Sequence, residues 1–152
     1  KKNYWDKIRG DEIKNDSVAD LMMFIVVNSG AGMVKPLKQI MNMTSGKKIV
    51  AETATPFTSE EIKLLNALPQ DIFHKNIITV RRKFYNDLVA KKPSNSVYLK
   101  GWLRRLDEHK YSGAVTKRSN KRYFIAGGIL LLVVAGGAYY YHKKKRRFKN
   151  AA

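Results

Sequence analysis

Two carboxylates held at a fixed separation are the least that acid–base hydrolysis requires, and this sequence offers half of its 12 acids as neighbours: Asp11 with Glu12, Glu60 with Glu61, Asp107 with Glu108. Adjacent residues diverge on a helix or a strand, so each pair reads as a cap or a solvated group, not as a catalyst. Three histidines, His74, His109 and His142, have no metal-ligand spacing, and cysteine is absent. No metal site, no cofactor and no disulfide framework are therefore expected. No nucleophile elbow, phosphate loop or dinucleotide fingerprint is present. What remains is recognition chemistry. Tyr4, Trp5, Tyr85, Tyr98 and Trp102 offer aromatic faces, and Arg81, Arg82, Arg104 and Arg105 offer guanidinium groups for anions. For Trp5 and Trp102 core packing competes with ligand contact, and the arginine pairs also read as a solvated face.

The elements that must position these residues read as helices. Asp16 or Ser17 can cap a helix through Val18, Leu21, Met22, Ile25 and Val26, ending near Asn28-Ser29-Gly30. A second helix is expected from Met33 to Met43, with Val34, Leu37, Ile40 and Met41 on one face. Lys47 to Pro56 reads as a loop, with a short hairpin as an option. Thr58-Ser59-Glu60-Glu61 is a capping box that opens a short helix ending before Pro69. The longest helix is expected from about Gln70 to Lys91, with Phe73, Ile77, Val80, Phe84 and Leu88 as its apolar face and Pro93 as its stop. Ser94 or Ser96 starts a last helix carrying Tyr98, Leu99, Trp102, Leu103 and Leu106.

The net charge of +18 is unevenly placed. Twenty of the 30 Lys and Arg, and all 12 acids, precede Lys117, leaving +8 there and +10 from Lys117 onward. Within that basic end, Tyr123 to Tyr141 is an uncharged apolar run with aromatics at both ends and basic clusters on both sides. Its length nearly spans the roughly 30 Å hydrocarbon core at about 1.5 Å per helical residue. It is expected to be a single transmembrane helix. The heavier basic flank, Lys143 to Lys149, places the C-terminus in the cytoplasm and draws it to the anionic inner leaflet of the bilayer. The fold class expected is all-α: a small domain of about five helices over residues 1–111, a basic linker 112–122, the transmembrane helix 123–141 and a basic tail 142–152.

The run Tyr4-Trp5-Asp6-Lys7 through Asp11-Glu12-Ile13-Lys14-Asn15 to Ser17-Val18-Ala19-Asp20 resembles the middle of the glycoside hydrolase family 108 lysozymes, phage-type N-acetylmuramidases of bacteria and their prophages. The later run, Arg81-Arg82-Lys83-Phe84-Tyr85 through Lys92-Pro93-Ser94 to Tyr98-Leu99-Lys100-Gly101-Trp102-Leu103-Arg104-Arg105, resembles the predicted peptidoglycan-binding domain of that family. Asn28-Ser29-Gly30 falls where the family has a Trp- or Asn-Ser-Gly segment. The resemblance implies peptidoglycan as partner, with Tyr4, Trp5, Asn28, Arg81, Tyr85, Tyr98, Trp102 and Arg104 as candidate contacts. The family's catalytic Glu stands in a Glu-Gly-Gly stretch, and Gly-Gly occurs here only at 127–128 and 136–137. No catalytic residue is assigned, and Lys1 is expected to fall after the missing catalytic lobe.

The function expected is thus the peptidoglycan-binding portion of a membrane-anchored, lysozyme-like cell-wall hydrolase, facing the periplasm from the bacterial inner membrane. The competing reading is a non-catalytic scaffold membrane protein, for example a phage lysis accessory. A nucleic-acid partner is not expected, because no recognition motif accompanies the +8 of the first part.

Overall fold

The computed structural model describes residues 2–113, and the apolar run at 123–141 lies outside them. Among the described residues there are six α-helices and no strand: α1 (Lys2–Lys7), α2 (Asp16–Ser29), α3 (Val34–Ser45), α4 (Ser59–Ala67), α5 (Gln70–Lys91) and α6 (Ser96–Asp107). None of these helices is long and apolar enough to cross a membrane.

α2 packs against α1 and α5 through a broad apolar face. Val18, Ala19, Leu21, Met22, Ile25 and Val26 are all buried. Its cap is Asn15, one residue before the expected pair, whose side chain accepts from the Val18 amide at 3.1 Å. Gly30, at φ 82, ends the helix in a conformation that a side chain rarely adopts. α3 turns Val34, Leu37, Ile40 and Met41 inward as expected, and stops at Gly46 with φ 70.

The segment between α3 and α4 is a loop without a hairpin, and Asn42 explains why. Its amide donates to the Val50 carbonyl at 3.0 Å and accepts from the Ile49 and Val50 amides at 2.8 and 3.0 Å. One side chain therefore takes the backbone groups that a hairpin partner would have taken. The capping box forms as read: Thr58 accepts from the Glu61 amide at 3.2 Å, and Glu61 accepts from the Thr58 amide at 2.9 Å. Asn66 then clamps α4 to the N-terminal segment, accepting from the Lys14 amide and donating to the Glu12 carbonyl.

α5 has the bounds expected but not the whole face expected. Phe73 and Ile77 are buried, whereas Val80 and Phe84 are more than a third exposed. The inward positions in the second half are Arg81 and Tyr85. The helix is long enough that the stripe facing α2 and α3 passes into the stripe facing α6, one residue further round. α6 follows a turn opened by Pro93 and is pinned to α5 by the Arg82–Asp107 ion pair. After α6 the chain folds back on the helices. The Ser112 amide donates to Ser17 Oγ at 2.9 Å, and Asn15 donates to the Ser112 carbonyl at 2.9 Å.

Candidate functional site

α5 and α6 together assemble four of the eight candidate residues. Arg81, Phe84 and Tyr85 stand at i, i+3 and i+4 on α5, and Tyr98 and Trp102 at i and i+4 on α6, so each set shares one face. Tyr85 stacks on Trp102 with ring centroids 5.3 Å apart and planes 28° apart. Trp102 stacks in turn on Tyr98 at 5.8 Å and 24°. The Arg81 guanidinium lies 4.6 Å from the Tyr85 ring centroid and 4.7 Å from that of Phe84. The row Arg81–Tyr85–Trp102–Tyr98 thus runs from a residue 4 % exposed to one 58 % exposed.

The two ends of this row have different chemistry. At the outer end the exposed Tyr98 ring, backed by Trp102, offers the kind of face on which the C–H side of a sugar ring or another flat apolar group stacks. At the inner end Arg81 is a buried cation, not the solvated residue that its position in an arginine pair implied. It donates to Ser29 Oγ at the end of α2, and its Nη1 approaches Met33 Sδ at 3.9 Å. The partial negative charge at the C-terminal end of α2 and the two ring faces offset part of its desolvation. Its Nε is buried with no partner.

A groove of about 310 Å³ between α3 and α5 opens beside Arg81, walled by Met33, Leu37, Ile40, Ile77 and Phe84 among others. A second, shallower groove of about 860 Å³ follows α6 past Leu99, Lys100, Leu103 and Arg104. Arg104 is exposed there, on a face of α6 other than that of Tyr98 and Trp102.

The remaining candidates are placed elsewhere, in local structural roles. Trp5 donates from Nε1 to Asp11 Oδ1 at 3.0 Å and covers Gly10 so closely that a Cβ there would stand 2.3 Å from its ring. Tyr4, on the same helix, carries Lys7 Nζ 5.8 Å above its ring. The Asn28 amide donates to the Phe24 carbonyl at 2.7 Å. Its neighbour Ser29, with Met33 and Phe84, belongs to the Arg81 environment instead. Sequence reasoning passed over those three, and a C-terminal helix serine followed by glycine was the available signal for Ser29.

The carboxylates have structural work. Glu12 pairs with Arg9, which holds its carboxyl below the usual range. Glu60 pairs with Lys63, and Asp107 with Arg82. Glu61 serves both its cap and Lys38. Among the described residues no group of three His, Cys, Asp or Glu is placed to hold a metal ion.

An aromatic row and a buried guanidinium on an all-helical body offer the chemistry of recognition. The more particular description comes from comparison: residues 56–107 match the family model described as a predicted peptidoglycan domain. The match runs from the capping box through α6 and contains the whole Arg81–Tyr85–Trp102–Tyr98 row. It supports a cell-wall-binding role with peptidoglycan as partner. No curated protein and no solved structure matches the chain.

Proposed function

We propose that the chain is the wall-binding part of a membrane-anchored, lysozyme-like cell-wall hydrolase of the glycoside hydrolase family 108 kind. In this reading residues 1–111 bind peptidoglycan and face the periplasm. Residues 112–122 link them to a membrane-spanning helix at 123–141, and the basic tail 142–152 rests on the anionic inner leaflet. The glycan strand stacks on the exposed Tyr98 ring, which Trp102 backs, and Arg104 offers an exposed cation on another face of α6. The observation that carries the reading is that the stretch matching a peptidoglycan domain is the same stretch that builds the aromatic row.

The test is retention of the detergent-solubilised chain on insoluble peptidoglycan sacculi at low salt and at ~0.3 M salt, where the Debye length is under ~8 Å and surface charge is largely screened. Retention that survives the salt, and falls about fivefold or more in Tyr98→Ala, is expected from a stacking contact of about 1 kcal/mol or more. Retention that vanishes with salt would assign the attraction to the basic charge alone and leave the scaffold reading standing.

A further inference from the structure

Among the described residues Arg81 is a buried cation without an anion. None of the ion pairs among the described residues includes it, and its acceptors are a serine hydroxyl and a thioether. A guanidinium removed from water and given only neutral partners is poorly compensated, because charged acceptors make the strong bonds to this group. Its Nε has no acceptor at all. The thioether is also the most easily moved of its neighbours. Methionine is flexible and its sulfur is a weak acceptor, and 3.9 Å is a loose contact.

The groove beside it complements this cation in shape and polarity. Leu37, Ile40, Ile77 and Val80 give it apolar walls, and at its rim the one carboxylate, Asp87, is neutralised by Lys83 at 2.8 Å. A volume of about 310 Å³ suits a ligand of a few small residues, and the mainly apolar walls, with Gln39 and Arg81 among the lining, suit small apolar side chains on a polar backbone. We propose that this groove takes the C-terminal carboxylate of a short peptide with small apolar side chains, the carboxylate displacing the Met33 thioether from Nη1 and pairing with Arg81. The inference rests on the peptidoglycan reading and divides the polymer between two surfaces. The glycan lies on Tyr98, backed by Trp102, and the alanine-terminated stem peptide enters between α3 and α5. Tyr85, stacked on Trp102 and beneath the Arg81 guanidinium, joins the two.

The experiment titrates the isotope-labelled full chain, in detergent solution, with N-acetyl-D-alanyl-D-alanine and separately with its C-terminal amide, following the Arg81 Nε–H resonance and the methyl groups of Ile40, Ile77 and Val80. The free acid is expected to shift these signals and to bind about tenfold or more tightly than the amide, the difference being a charge-assisted bond. Arg81→Lys, which keeps the charge but loses the planar fork, is expected to weaken the acid by about tenfold and leave the amide unchanged. Equal shifts from acid and amide, or no shift with either, would overturn the proposal. The acid–amide comparison uses the unaltered protein, so it stands even where an Arg81 variant misfolds. Sacculus retention measured in parallel separates the two claims. Retention without dipeptide binding removes the groove and leaves the wall reading, whereas dipeptide binding without retention upholds the carboxylate site and removes the wall reading.

Discussion

A second buried cation shows what full compensation looks like. Lys38 is 1 % exposed, and each of its three ammonium protons has an acceptor. These are Glu61 Oε1 at 2.8 Å, Thr53 Oγ1 at 3.3 Å and Thr55 Oγ1 at 3.5 Å, with the Phe57 ring 5.2 Å away. Glu61 keeps some contact with water, its side chain being 15 % exposed. The two partners therefore differ in what each can tolerate losing. Glu61→Gln leaves the ammonium buried without a countercharge and is expected to cost about 3 kcal/mol. Lys38→Met fills the same space without charge and leaves Glu61 a path to solvent and its cap at Thr58, so it is expected to cost less than half as much. Urea denaturation of the two variants checks this order. A larger loss in Lys38→Met would mean that the ammonium's bonds to the threonines, not its pairing with Glu61, hold the loop. Arg81 has aromatic rings beside it as Lys38 does but no countercharge among the described residues, which is why Lys38 reads as structure and Arg81 as a site.

At the scale of elements, most of what was legible in the sequence was local. The capping box at Thr58, the stop at Pro93 and the bounds of α5 follow from rules that act within one turn of chain. The inner face of α5 was not legible in full, because apolar spacing selects Phe84 over Tyr85 and cannot see that a cation replaces an apolar residue at 81. That choice depends on α6, whose Trp102 covers Tyr85, and on the end of α2, which receives Arg81. For the same reason the aromatic row was legible as a set of residue types but not as a stack, and Trp5, of the same type, is spent on Gly10. The loop before α4 failed to become a hairpin for an equally non-local reason, the side chain of Asn42. That side chain uses both donors and both acceptor sites, including a 3.1 Å bond to Glu52, whose carboxyl Asn42 and Gln39 together hold below the usual range. Asn42→Ala would leave the buried Val50 amide and carbonyl without partners, at about 2 kcal/mol. Hydrogen exchange at Ile49 and Val50 is expected to speed up about tenfold or more, while the amides of α5 keep their protection. Uniform acceleration through α5 would instead show that the loop and the helices open as one unit.

The whole helical body is closed by the turn after α6, and that closure depends on two histidines staying neutral. His109 lies tilted against Phe24 of α2 with ring centroids 4.4 Å apart, and His74 of α5 meets the edge of Tyr111 at 5.6 Å. Burial, and then the nearness of His109, pushes the His74 imidazole below its ordinary 6.5. Burial also lowers His109, against the opposing pull of Asp20 and Glu108. His74 Nε2 is buried without a partner, so a proton added there would gain no acceptor. With both folded-state values lowered, the unfolded chain takes up protons first as pH falls. Their contribution to stability is therefore complete above about pH 6.5, the ordinary histidine value, and declines as pH drops below it toward the lower folded values. Carboxylates held low by their partners, Glu12 and Glu52, act in the same direction but only below their ordinary 4.5. The midpoint of thermal unfolding is thus expected to hold steady from pH 8 to 7, and to fall between pH 6.5 and 5 before the carboxylates respond. The double variant His74→Met, His109→Met should flatten the fall between pH 6.5 and 5 and leave the steeper one below 4.5. An undiminished fall above pH 5 in that variant would place the acid sensitivity elsewhere than in the closing turn. Sacculus retention compared at pH 5 and pH 7 would then report the wall contact itself, free of any loosening of α2 and α5.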